Sequence, residues 1–160
     1  MNIYFTRFNI PMTTRHIPDG YHSITPSISV DGAQKLIGFL KEVFGAKERM
    51  LMPGPGGKIM HAEFDIGNSA IMVADTMPGC PARSNSLYVY VEDVDGAYKR
   101  ALQAGATSDR EPQDMFYGDR TAAVTDAFGN FWGIATHIED VSPEELKKRA
   151  AAFQKQFSQA

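Results

Sequence analysis

The residues of this sequence best suited to chemistry are His61 and Glu63. They lie in the segment 58–66, where apolar and polar residues alternate, and this alternation predicts a β-strand with both side chains on one face. The alternate residues, among them Met60 and Phe64, are predicted to face a helix. An imidazole beside a carboxylate can move a proton or supply two ligands to a metal ion. A polar pair on the solvated face of an antiparallel sheet gives the same pattern, and both interpretations stay open.

A second set of residues, mostly aromatic, predicts the wall of a ligand pocket. Tyr88 and Tyr90 alternate with aliphatic residues, which places both rings on one face of a strand. The segment 116–120 is predicted to be a loop that closes over the pocket, with Arg120 holding a polar or anionic ligand; a surface pair of Asp119 and Arg120 is the alternative. A core position under a helix is also predicted for the tryptophan of this set. The predicted ligand-binding residues are Tyr88, Tyr90, Phe116, Tyr117, Arg120 and Trp132.

The composition argues against several classes of function. The chain has 160 residues and a net charge of −3, so no broad basic surface for nucleic acid is expected. Its apolar runs are too short to predict a membrane span. Cys80 is the only cysteine, which rules out an intramolecular disulfide and favours a reducing, cytoplasmic compartment.

The strands and helices that must position these residues follow one sequence pattern, which repeats after about 60 residues. In each half a short strand leads into an amphipathic helix that ends in Gly-Ala, and an Asp and a Gly-Asn pair then mark a hairpin. This duplication predicts two βαβββ modules, at about residues 21–80 and 84–142. The predicted fold class is α+β, with the two modules paired into a cup-shaped sheet that holds a small molecule.

Both ends of the chain are predicted to lie outside this domain. Residues 1–20 are interpreted as an N-terminal extension. Residues 143–160 are predicted to form a C-terminal helix, because Ser142 can cap it, Pro143 suits its first position and Glu145 suits its first turn. We expect this helix to pack on the domain or on a partner subunit.

Several motifs together resemble the PhnB-like branch of the vicinal oxygen chelate superfamily, which is the glyoxalase/bleomycin resistance protein/dioxygenase superfamily. They are the Asp-Ala-Phe-Gly-Asn motif at 126–130, the paired Gly-Ala helix ends, the segments 61–67 and 117–120, and the tail 135–142. The resemblance covers about residues 21–142. It implies the paired βαβββ cup and, commonly, a homodimer. Its members include glyoxalases, epimerases, dioxygenases and metal-free proteins that sequester drugs.

The resemblance also bears on metal binding. Metal-using members place His or Glu at four positions of the cup, which correspond here to Thr25, Ile71, Ser86 and Gly133. None of these is a strong ligand for a divalent transition metal. We therefore expect a metal-independent, cofactor-free homodimer that binds a small molecule in the cup. The alternative is a metal-dependent lyase, isomerase or dioxygenase that uses His61 and Glu63.

Overall fold

The computed structural model describes residues 14–157, with side chains as far as residue 155. Two βαβββ modules follow each other along the chain, which confirms the predicted duplication. The first consists of β1 (Ser27–Val30), α1 (Ala33–Phe44), β2 (Lys47–Pro53), β3 (Ile59–Ile66) and β4 (Ser69–Asp75), with a short 3₁₀ turn at Pro55–Gly57. The second consists of β5 (Ser86–Tyr90), α2 (Val94–Gln103), β6 (Thr107–Asp114), β7 (Asp119–Thr125) and β8 (Phe131–His137), and α3 (Pro143–Phe157) follows it.

Each module forms its own four-stranded mixed sheet. The strand orders are β1-β4-β3-β2 and β5-β8-β7-β6, and the first and last strands of each module pair in parallel. Within residues 14–157 no strand of one sheet pairs with a strand of the other. The α+β class is confirmed, but the two half-cups open separately within one chain.

The two modules join through their helix-covered faces. Trp132 on β8 is fully buried, and its ring packs against Phe44 and Phe39 of α1 at centroid distances of 5.1 and 6.0 Å. The core position predicted for Trp132 is thus confirmed. Because α1 lies against the inner sides of both sheets, the opposite side of each sheet turns outward. We call these outward sides the open faces.

Helix α1 forms where the apolar stripe predicts it. Leu36, Leu40 and Val43 are fully buried along one side. The helix ends at Gly45, whose φ of 64° lies in the left-handed region that favours glycine. The predicted helix stop is therefore confirmed at this residue.

A buried carboxylate ties each module together. In the first module, Asp75 accepts hydrogen bonds from the backbone amides of Gly32 and Ala33, at the start of α1, and of Ile59, at the start of β3, at 2.8, 3.0 and 2.7 Å. Burial opposes the charge, but these amides outweigh it and hold the pKa of Asp75 below its ordinary value. The helix start, β3 and β4 are thereby fixed to one another.

In the second module the same role falls to Asp126 of the Asp-Ala-Phe-Gly-Asn motif. Its carboxylate accepts from the backbone amides of Phe128 and Asn130, from the Asn130 side chain and from Trp132 Nε1, at 2.8 to 2.9 Å. Asn130 in turn accepts from the backbone amide of Asn85 at 3.1 Å. The motif therefore holds the hairpin, the core tryptophan and the start of β5 in place.

One predicted strand face is wrong. Met60 was expected to face the helix, but its side chain is 44% exposed, whereas Ile59 is 5% exposed. The pairing of β2 with β3 shifts register between Met52 and Pro53, so the simple alternation fails at this end of β3. His61 and Glu63, beyond the irregularity, keep the face predicted for them.

The chain ends also pack on the domain where they are described. Residues 1–13 of the predicted extension lie outside the described part, while the backbone carbonyls of Asp19 and Gly20 accept from Arg49 at 3.4 and 3.3 Å. The predicted C-terminal helix is present as α3. The rings of Phe153, on α3, and Phe116 lie 4.9 Å apart. None of the described helices is long and apolar enough to cross a membrane.

Candidate functional site

Three tyrosines gather on the open face of the second sheet. Tyr88 and Tyr90 on β5 are 50% and 61% exposed, and their ring centroids lie 5.5 Å apart in an edge-on arrangement. Tyr117, in the turn before β7, is hydrogen-bonded to the side chain of Tyr88. Burial and this hydrogen bond raise the pKa of the Tyr88 phenol well above its ordinary value, so it stays protonated at neutral pH. We call these three residues the tyrosine wall.

Small residues form the floor beside this wall. Tyr88 pairs with Gly133 and Tyr90 pairs with Ala135 on β8, and these two residues pair in turn with Ala123 and Thr121 on β7. All four are buried, so the tyrosine rings and their neighbours already cover this floor, and the small side chains let those rings lie close to the sheet.

An aspartate and a histidine stand at one end of the wall. Asp119, 5% exposed, accepts from the Tyr90 hydroxyl at 2.8 Å and lies 2.7 Å from His137 Nδ1. His137 Nε2 lies 3.0 Å from a carboxylate oxygen of Asp140. The contact with Asp119, reinforced by Asp140, raises the pKa of His137 above its ordinary value. The hydrogen bond to Asp119 likewise raises the pKa of Tyr90.

Sequence reasoning missed this pair because the two residues are far apart in the chain. Asp119 and His137 are direct partners in the β7–β8 ladder. A correct register for these two strands would have been the only signal, since cross-strand pairing and not spacing brings them together.

Arg120 takes a different position from the one predicted. Its guanidinium binds Asp95 at 2.6 and 2.8 Å and Asp114 at 2.8 Å, on the side of the sheet that faces α2. Its guanidinium is thus already engaged by two carboxylates, and the ligand contact expected of Arg120 stays a prediction. Strand β7 already begins at Asp119, so Asp119 and Arg120 point to opposite faces and do not form a loop cluster.

The other two predicted aromatic residues, Phe116 and Trp132, have different surroundings. Phe116 packs edge-on against Tyr117, with centroids 5.2 Å apart, and also contacts Phe153, so it connects the wall to α3. Trp132 is fully buried with its ring packed against α1, and it borders a pocket of about 310 Å³. The ligand contact expected of Trp132 stays a prediction.

The first sheet brings its own polar cluster to its open face. His61 Nε2 lies 2.9 Å from Glu63 Oε1, and the hydroxyl of Tyr21 donates to Glu63 Oε2. These contacts, that of Tyr21 before that of His61, lower the pKa of Glu63 below its ordinary value, so it is a carboxylate at neutral pH. Met50 is the strand neighbour of Glu63, and Met52 is the neighbour of His61.

A cleft runs between the two modules next to the tyrosine wall. It encloses about 720 Å³ and is lined by residues that include Phe44, Ile66, Tyr90 and His137. A smaller pocket of about 310 Å³ is lined by residues of both modules, among them Ile24, Tyr88 and Tyr90. Tyr90 lines both spaces.

With this geometry in hand, comparison with known proteins decides the family. Residues 20–134 match the model of the Glyoxalase/Bleomycin resistance protein/Dioxygenase superfamily. The chain belongs to this superfamily.

Similar proteins and solved structures cover most of this superfamily member. Mb0911c of Mycobacterium bovis and Rv0887c of Mycobacterium tuberculosis, both uncharacterised, are 32% identical to it over 136 residues, covering 78% of this chain and 90% and 80% of theirs. The crystal structure of TioX from Micromonospora sp. ML1 is 28% identical with a TM-score of 0.62 and covers 72% of this chain and 98% of that chain. TnmS3 of Streptomyces sp. CB03234, described as an antibiotic binding protein, is 22% identical with a TM-score of 0.57, over 79% and 98%.

The four positions that the resemblance assigned to a metal offer few donors. Ile71 was expected in the cup, but it pairs with Phe64 and faces the core, so Met72, the partner of Glu63, takes the open face instead. Gly133 lies under Tyr88, and Thr25 and Ser86 offer only hydroxyls. His61 and Glu63 supply two donors, one short of the three that a stable transition-metal site needs. Within the described part of the chain, no three His, Cys, Asp or Glu side chains are grouped to hold a metal ion.

Proposed function

We propose that this chain is a metal-independent small-molecule-binding protein of the PhnB-like branch, and that it binds a partly aromatic ligand against the tyrosine wall. The observation that carries the proposal is the exposure of Tyr88 and Tyr90, 50% and 61%, on a sheet face with a small-residue floor. Large exposed aromatic surfaces of this kind mark binding sites, because tyrosine offers both stacking area and a hydrogen-bonding tip.

The wall needs an opposite side to enclose a ligand. The open faces of the two sheets of one chain point apart, so one chain cannot bring them together. We propose that a homodimer closes each cup, with the first sheet of one copy facing the second sheet of the other. Each cup would then be bounded by the tyrosine wall and by the face that carries Met50, Met52, His61 and Glu63. Methionine side chains adapt to ligands of irregular shape, which suits such a wall.

The polar groups of the two faces would fix the orientation of the ligand. Glu63 offers a carboxylate and His61 an imidazole from one side, and the Tyr88 phenol keeps its proton on the other. Pockets of this composition, mostly apolar with a few polar groups, are typical of small-molecule sites. The description of TnmS3 as an antibiotic binding protein agrees with this role. The single exposed Cys80 supports a cytoplasmic location.

The alternative function, a metal-dependent lyase, isomerase or dioxygenase, has one observation in its favour. The 2.9 Å contact between His61 and Glu63 is the geometry of an acid–base pair. If the face that carries His61 and Glu63 only orients the ligand, His61→Ala should weaken binding. The ligand should then stay chemically unchanged in both wild type and variant. Turnover of a bound compound that is lost in both His61→Ala and Glu63→Gln would favour the enzyme.

The proposal is tested on protein dialysed against EDTA. Ligand-observed NMR with a set of bicyclic aromatic compounds should give hits with wild type that are lost in the double variant Tyr88→Ala, Tyr90→Ala. Leu102→Ala, which removes an exposed apolar side chain from α2, is the matched control and should keep the hits. Hits that survive the loss of both tyrosines, or that appear only after a stoichiometric metal is added back, would contradict the proposal. Sedimentation equilibrium tests the dimer.

A further inference from the structure

Arg110 stands on the open face of the second sheet at a break in the strand pattern. Ser108 pairs with Val124 and Arg110 pairs with Ala123, so Asp109 is an extra residue in β6. A bulge of this kind redirects the side chains next to it. One terminal nitrogen of Arg110 donates to Thr121 Oγ1 at 3.2 Å, which places the guanidinium on the side of the tyrosine wall.

The guanidinium has no anionic partner there. Arg15, Arg49, Arg120 and Arg149 each pair with a carboxylate, and Arg83 and Arg100, which pair with none, are exposed. Among the side chains of residues 14–155, no Asp or Glu forms an ion pair with Arg110, and its Nε is buried without a hydrogen-bond partner. A guanidinium with a buried, unpaired donor and no anionic partner destabilises a fold unless a ligand binds to it.

The two aspartates near this face, Asp119 and Asp109, do not pair with Arg110. Asp119 is engaged by His137 and Tyr90, on the far end of the wall. Asp109 accepts from Thr125 Oγ1 at 2.7 Å and is exposed, so solvent screens its charge. The face thus combines one uncommitted cation with aromatic rings.

Strand pairing sets the distance between Arg110 and Tyr88. Arg110, Ala123, Gly133 and Tyr88 follow one another in a single row across β6, β7, β8 and β5. Three strand spacings separate the ends of the row, about 14 Å between backbones. Only Ala123 and Gly133, both buried, stand between them, so no large side chain separates the arginine from the tyrosine.

We infer that Arg110 binds an acidic group of the ligand, so that the ligand of the tyrosine wall is an aromatic acid. The inference rests on the proposed function and names its ligand class. The planar guanidinium would pair with a carboxylate through two parallel hydrogen bonds from its terminal nitrogens. The ring system of the ligand would lie against Tyr88 and Tyr90.

The test compares 2-naphthoate with 2-naphthamide, which share a ring system but differ in charge. Isothermal titration calorimetry of the full-length protein should give a Kd at least about tenfold lower for the acid. Arg110→Met should remove that difference while it leaves the affinity for the amide nearly unchanged, and Arg110→Lys should keep part of it. Lys99→Met, which removes the same charge from an exposed position on α2, should change neither affinity.

Each other outcome has a separate meaning. Equal affinity of the wild type for acid and amide, or equal weakening of both in Arg110→Met, overturns the inference and leaves the tyrosine-wall site intact. Failure of both compounds to bind the wild type at millimolar concentration overturns both proposals. Dissociation of a wild-type dimer in Arg110→Met, with acid binding unchanged, would assign the arginine to a subunit contact and also overturn the inference. Circular dichroism and thermal unfolding verify that both arginine variants fold.

Discussion

The ring of Tyr88 lies directly against the backbone of Gly133. A Cβ atom at position 133 would stand 2.6 Å from Cδ2 and 3.1 Å from Cε2 of that ring, closer than side chains in folded proteins approach each other. Glycine is therefore the residue that lets the tyrosine lie flat over the sheet. The orientation of the exposed ring depends on a missing side chain and not on a hydrogen bond alone.

We expect Gly133→Ala to push Tyr88 out of this position. The crowding should lower the free energy of unfolding by about 1–3 kcal/mol, as overpacked sites do, and it should weaken binding of 2-naphthamide severalfold. Urea denaturation and calorimetry measure the two effects. Gly38→Ala is the control, because nothing lies within 4 Å of its new Cβ and alanine is the better helix former, so that variant should be at least as stable as the wild type. Unchanged binding in Gly133→Ala would show that Tyr88 is not part of the site.

The carboxylate of Asp126 should be among the most important single groups for stability. Asp126→Ala leaves four donors of the hairpin and of Trp132 without their acceptor, and two of these bonds are fully buried side-chain contacts. We expect a loss of about 3 kcal/mol in the free energy of unfolding, measured by urea denaturation. Asp31→Ala, at an exposed position, should cost far less. Similar losses in the two variants would show that the Asp126 carboxylate does not hold the hairpin and Trp132 in place.

The pair of His137 and Asp119 predicts a pH dependence with a definite sign. Because the pKa of His137 is raised above 6.5 in the folded chain, its stabilising contribution is complete at a pH below 6.5 and disappears as the pH rises through the folded value. The difference in stability between wild type and His137→Gln should shrink over that interval. NMR titration should also show a lower pKa for His137 in Asp119→Asn, while the His16 resonance does not respond to the substitution. A pKa of His137 that is the same in both proteins would contradict the assignment.

Arg120 should matter for stability and not for ligand binding. Arg120→Met removes the partner of Asp95, whose pKa Arg120 holds below its ordinary value of 3.8. A lowered carboxylate pKa stabilises the fold above pH 3.8 and loses this effect as the pH falls through the folded value. The variant should thus be less stable than wild type at neutral pH and approach it in acid. Its affinity for 2-naphthoate should stay within about twofold of wild type, a change smaller than one charged hydrogen bond provides. A larger loss would support the ligand contact that the sequence predicts for Arg120.

The sequence predicts the architecture better than the faces of its strands. The end of α1 at Gly45 and the hairpin at Asp126 depend on backbone conformation and capping, which single residues determine locally. The direction of Arg120 depends on where β7 begins, and a shift of one residue there reverses the face. The bulge that redirects Arg110 and the irregularity that buries Ile59 have no comparable local signal.

The same limit applies to the candidate site. Tyr88, Tyr90 and Tyr117 were found from alternation and loop composition, and the structure brings these three together. Asp119 and His137 meet only through strand pairing, and no rule of spacing anticipates them. The separate opening of the two sheets follows from how α1 packs on Trp132, which is a property of the whole core.

Strand β8 divides its residues between two tasks. Trp132 and Ile134 are fully buried on the helix side, whereas Gly133 and Ala135 underlie the tyrosines. An exchange at the second pair acts on the tyrosine rings above it, whereas an exchange at the first pair acts on the packing against the helices. Relatives that keep the helix-side residues of this strand can therefore share the fold and still differ under the tyrosines.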